Sequence, residues 1–105
     1  MITLVMALAL AAPNPGSIDA PRRAFSACLK TFETNQLSAK VDAAAYETAV
    51  KTACTAEAEA LAQALVKYDV AMGTKRATAT SNAARDVDDY RLTSVERYRD
   101  IVANP

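Results

Sequence analysis

DAAAYETAVKTACTAEAEALAQALVKYDVAM, residues 42–72, decides the fold. The stretch contains no Pro and no Gly. Tyr46, Val50, Cys54, Glu57 or Ala58, Leu61, Leu65, Tyr68 and Met72 recur at steps of three and four, the spacing that lines one face of an α-helix. Between them Ala49, Ala53, Ala60 and Ala64 are small enough to let a neighbouring helix approach to about 8 Å. One helix from about Asp42 to Met72 is predicted. Asp42 or Ser38 would cap its start, and Gly73 would supply the left-handed residue that ends it.

The flanks read the same way. Phe25, Cys28, Leu29, Phe32 and Gln36 form an apolar stripe that predicts a helix over about 21–37. Asp19 is its expected N-cap, and Pro21 suits its first turn. After Gly73, a third helix is expected from about Thr74 to Ala103, carrying Val87, Tyr90, Leu92, Val95, Tyr98, Ile101 and Val102. Its opening, Ala77 to Asn82, is small and Thr-rich, with lower helix propensity, so fraying or a loop is expected there. No strand pattern competes. The predicted fold is all-α: a three-helix up-down-up bundle, a helical hairpin plus a third helix, forming one domain over 21–105.

Two features surround that domain. Met1 to Ala12 is a short apolar run whose Ala9-Leu10-Ala11 is the small-x-small pattern of an export cleavage site. Residues 1–11 are expected to be a signal peptide, and 12–20, with Pro-Asn-Pro-Gly-Ser, an extended lead. No basic residue precedes Arg22, which suits a start codon further upstream. The run falls short of the roughly 20 residues of a spanning helix, so no transmembrane span is expected in the mature chain. The second feature is the pair Cys28 and Cys54. Measured along their helices from the first turn, they lie roughly 14 and 18 Å out, within about one helical turn of the same level. In an exported chain such a pair is expected to be bridged, rather than free or joined to a second molecule. The bridge would close a loop of about 25 residues and contribute roughly 3–4 kcal/mol. Periplasmic or secreted localisation follows as an expectation.

Composition narrows the function. Twelve basic and 12 acidic residues balance to zero, which gives no drive toward nucleic acid. The absence of His removes the usual general base and the commonest metal ligand. Bridged cysteines would leave no thiolate nucleophile, and no phosphate loop or nucleophile elbow is present. Asp86, Asp88 and Asp89 resemble the start of a calcium loop but lack its central Gly and distal Glu. Arg85, three and four residues before the last two, explains them as solvated pairs. No catalytic residue, metal or cofactor is therefore expected.

Three groups remain. If the chain reverses at Gly73-Thr74, Glu57 and Arg91 fall at one level on facing stripes, predicting an interhelical ion pair that fixes register. Tyr46, Tyr68, Tyr90 and Tyr98 lie on or near inward faces, as core residues or as the lining of a ligand pocket. Lys67, Lys75 and Arg76 cluster at the Gly73 end, with Arg22 and Arg23 on the same side, making a candidate partner surface. The expected function is that of a non-enzymatic interaction or structural protein of the cell envelope. Its partner would be a protein or an anionic envelope component. The alternative is a small-ligand carrier with its pocket among the tyrosines.

Overall fold

The computed structural model describes residue 14 and residues 16–105. The expected signal peptide, residues 1–11, lies outside them, as do residues 12, 13 and 15. Regular structure among the described residues is wholly helical: α1 Gly16–Ser38, α2 Ala43–Val50, α3 Thr55–Ala71 and α4 Arg76–Ala103. Four helices thus replace the three expected. The correction falls on the long central helix, which divides at Lys51–Cys54 into α2 and α3.

The break has a local cause and several local compensations. Cys54 takes a left-handed conformation with φ 57° and ψ 39°, a state that costs a non-Gly residue about 1–2 kcal/mol. Its Sγ joins Cys28, with the two Cα atoms 6.0 Å apart. Leaving the helix at residue 51 frees carbonyl groups that need new donors. The Thr55 hydroxyl donates to the Thr52 carbonyl at 2.8 Å, and Arg91 Nη2 donates to the Ala53 carbonyl at 2.7 Å. Thr52 and Thr55, β-branched and able to bond their own backbone, make this the weak point of an otherwise Ala-rich rod.

The other boundaries follow from capping. α1 starts at Gly16 rather than at Pro21, so residues 16–20 are helical where an extended lead is expected. Asn14, not Asp19, organises that start. Its Oδ1 accepts from the Gly16 N–H at 3.0 Å, and its carbonyl accepts from the Ser17 hydroxyl at 2.7 Å. Asp19 instead lies in the first turn, where a carboxylate suits the positive end of the helix dipole. At the far end the Val41 N–H reaches the Gln36 carbonyl and the Lys40 N–H reaches that of Leu37. Lys40 sits left-handed at φ 57°, completing a Schellman stop without glycine. The same pattern closes α3, where Thr74 bonds to Asp69, Gly73 to Val70, and Gly73 has φ 99°. Asp42 caps α2 by accepting from the Ala45 N–H at 2.8 Å. α4 is helical from Arg76, through the Thr-rich stretch expected to fray. Ala79 and Ala83 are buried there, so close contact with neighbours outweighs propensity.

α3 packs between α1 and α4, while α2 packs on α4. Phe25, Leu29, Tyr46, Val50, Leu61 and Tyr98 make the fully buried centre. The Tyr46 and Tyr98 rings stack face to face, with centroids 3.8 Å apart and planes 3° apart. Phe32 tilts against Tyr46 with ring centroids 5.6 Å apart. These contacts join α1, α2 and α4 into one core, which carries the two sites described next.

Candidate functional site

The core holds one polar chain. Glu33 continues the stripe of Phe25 and Leu29 and is only 5 % exposed. Arg97 grips it bidentately: Nε donates to Oε1 at 2.7 Å and Nη2 to Oε2 at 2.6 Å. Ser94, fully buried, lies 3.0 Å from Glu33 Oε2 and 2.6 Å from the Tyr46 hydroxyl. A carboxylate only accepts, so Ser94 donates to Glu33 and Tyr46 must donate to Ser94. Every link of Tyr46–Ser94–Glu33–Arg97 is thus satisfied, as a buried network must be to persist. Tyr98 makes a separate link, donating to the Val41 carbonyl, which fastens α4 to the connection between α1 and α2. A second ion pair, Arg99 with Glu47 at 2.7 Å, is about half exposed on both sides.

This chemistry holds protons in place. Burial pushes the Tyr46 hydroxyl above the ordinary tyrosine range, the nearby Glu33 charge adding to the effect and the Ser94 hydrogen bond opposing it. Burial likewise raises Tyr98, with Asp42 adding to it. Hydrogen bonding to Glu33 raises the Arg97 guanidinium, which stays charged throughout. The sign for stability follows. Both phenols prefer the neutral form in the folded state, so their contribution is complete below about pH 10 and lost as pH rises. Urea melts between pH 8 and 11.5 are therefore expected to show stability falling above about pH 10, with a slope of up to ~1.4 kcal/mol per pH unit for each such tyrosine. Tyr46→Phe should make that slope shallower.

The residues singled out in the sequence fall as follows. Cys28 and Cys54 are bridged. Glu57 and Arg91 do not form the expected ion pair: the pairs within 4.0 Å among the described residues are Glu33–Arg97 and Glu47–Arg99. The break explains it. Arg91 turns to the freed Ala53 carbonyl and lies over the Phe25 ring, 5.5 Å from its centroid, with its buried Nε unpaired. A Glu57 carboxylate oxygen instead lies within 4.8 Å of both disulfide sulfurs; bridged sulfurs are not thiolates and offer no metal site. Asp86, Asp88 and Asp89 are exposed. Among the described pockets none is lined by more than one of the four tyrosines. Tyr46 and Tyr98 fill the core against each other, while Tyr90 packs on Phe25 at 5.6 Å.

Lys67 and Arg76 are brought together, on a groove between α3 and α4 of about 650 Å³. Ala62, Val66 and Val70 form its α3 wall, and Thr80, Ala83 and Ala84 its α4 wall. Lys75 is exposed at the N-cap of α4, beside the groove rather than on it. Ala62 and Ala84 also border a second depression of about 320 Å³ that runs on to Lys51 and Arg91, where Glu59 and Asp88 offset the two cations.

Comparison with family models, curated proteins and solved structures found no match. The groove and the polar chain are therefore read on their own chemistry.

Both were present as signals in the sequence. Glu33 lies four residues after Leu29 and eight after Phe25, squarely on the α1 stripe, while Ser94 precedes Tyr98 by four on α4. Ala58, Ala62, Val66 and Val70 repeat at intervals of four, a row of small side chains down α3 that leaves a groove where larger ones would close it.

Proposed function

We propose that this chain is an exported, non-enzymatic binding protein of the cell envelope, whose working surface is the α3–α4 groove with the basic side chains at its Gly73 end. One observation carries the reading: a groove of about 650 Å³ opens beside Lys67 and Arg76, two of the three cations of the expected partner surface. The lack of His, together with cysteines occupied in a bridge, supports a role in binding rather than chemistry. The bridge, and the absence of any described helix long and apolar enough to cross a membrane, are compatible with export. The helices would then form the proposed up-down-up bundle, with α2 and α3 together as its middle arm.

The test is a Lys67→Glu, Lys75→Glu, Arg76→Glu variant, assayed on anionic liposomes and on an envelope extract. All three side chains are exposed, so the fold should persist with an unchanged melting curve. Retention should fall by at least tenfold at low salt, and wild-type retention should weaken as ionic strength rises. Retention equal to wild type would remove this surface from consideration.

The carrier reading also gains from a specific observation. A groove of about 650 Å³ lies in the range of small-molecule sites. It replaces the tyrosine pocket, whose space Tyr46 and Tyr98 occupy themselves.

A further inference from the structure

We infer that the α3–α4 groove binds a single-chain anionic amphiphile, with its acyl chain along the alanine and valine walls and its carboxylate or phosphate head at the N-terminus of α4. This deepens the carrier reading and rests on it. The argument begins with charge. Lys67 and Arg76 border the groove at its Gly73 end, and no acidic side chain borders it there. The opposite depression holds Lys51 and Arg91 but also Glu59 and Asp88. The uncompensated positive charge is therefore at one end only. α4 begins at that same end, and Lys75, its N-cap, makes no side-chain capping bond. α3 ends there as well, so the two opposed helix dipoles offset each other, and the Lys67 and Arg76 side chains are what would meet an anion.

The walls argue for a flexible chain rather than a protein segment. They offer methyl and isopropyl groups, with Gln63 and Thr80 as the uncharged polar side chains, so an extended peptide would find few partners for its backbone. From Ala62 to Val70 the α3 wall of the groove runs roughly 12 Å, a length suited to a medium-length acyl tail. The polarity is fixed as well. The head belongs at Lys67 and Arg76, and the tail points toward Ala62 and Ala84.

Calorimetric titration of the oxidised protein with laurate, dodecyl phosphate and dodecyltrimethylammonium, each below its micelle concentration, tests the inference. The two anions should bind at one site, and the cation should bind at least tenfold more weakly. Across octanoate, decanoate and laurate, affinity should rise about two- to fourfold per methylene until the groove is full. Lys67→Glu with Arg76→Glu should reverse the preference so that the cation binds better, a result that loss of folding could not produce. Ala84→Trp, which fills the groove from an exposed position, should abolish binding of both charges with an unchanged melting curve. Binding without charge preference, or unaffected by Ala84→Trp, would overturn the inference. If no amphiphile binds while retention on an envelope extract still depends on Lys67, Lys75 and Arg76, the ligand class is wrong and the surface is a docking site for a macromolecule. If neither is seen, the surface itself fails.

Discussion

Reduction of the Cys28–Cys54 bridge is expected to lower the melting temperature by about 15–25 °C. The bridge spans 26 residues, and closing a loop of that size is worth about 3.5 kcal/mol in the chain-entropy model. A small domain has only about 5–15 kcal/mol in all, and each kcal/mol corresponds to about 4–8 °C at this size. Relief of the left-handed Cys54 backbone returns about 1–2 kcal/mol, and the loss of a partner by Arg91 opposes that gain. Cys54 holds a left-handed backbone in a sequence that otherwise favours continuous helix. Once freed from Cys28, Lys51–Cys54 can join α2 to α3 as one rod. That withdraws the Ala53 carbonyl from Arg91, whose Nε is already unpaired. Circular dichroism of the reduced, alkylated protein should therefore show a lower transition and, below it, as much helix or slightly more. A fall of less than about 5 °C on reduction would show that the bridge contributes little beyond the packing around it.

Arg97→Ala is expected to cost about 2–3 kcal/mol, measured by urea unfolding at neutral pH. Stripping the partner from a buried ion costs about 3–5 kcal/mol, whereas an exposed pair is worth only ~0.2–1 kcal/mol. This pair is intermediate, with Glu33 6 % exposed at its side chain and Arg97 41 % exposed. Removal of Arg97 leaves the Glu33 carboxylate with Ser94 as its remaining donor. The double variant Arg97→Ala, Glu33→Gln should recover part of the loss, since a neutral amide needs no counter-charge. The same comparison at Arg99 and Glu47 should give less than about 1 kcal/mol, because water reaches both partners. Equal costs at the two pairs would show that burial of Glu33 does not set the energy.

Much of this architecture was legible in the pattern of residues, and the misses share one origin. Gly73 and Asp42 cap helices as their chemistry predicts, and Cys28 meets Cys54 because two stripes of spacing 3.6 place them at similar levels. The break at Cys54 was hidden, because its φ of 57° is held by a covalent partner rather than announced by Gly or Pro. Glu57 and Arg91 were matched by counting along an unbroken rod, and the four-residue interruption spoils that count. Glu33 is a charge on an apolar stripe, in a position as good as that of Leu29. The buried Arg–carboxylate pair lies between α1 and α4, with Ser94 and Tyr46 completing what the charges alone could not satisfy. Lys67 and Arg76 were visible as basic residues. The groove beside them was not, because it is defined by side chains that are small, and smallness gives no local mark of which face stays uncovered.

The ring closed by Cys28 and Cys54 has a kinetic consequence. In the oxidised chain, the middle of α1 and the start of α3 are already neighbours before folding begins. Most of the entropy for bringing those two helices together has been spent in the denatured ensemble. Contacts that look distant in sequence, such as those between α1 and α3, become nearly local in the sense that governs folding speed. The docking of α4 remains as the long-range event, and its approach must seat the Tyr98 ring on Tyr46 and Arg97 on Glu33 together. The bridge thus shifts the search problem of this fold onto its last helix.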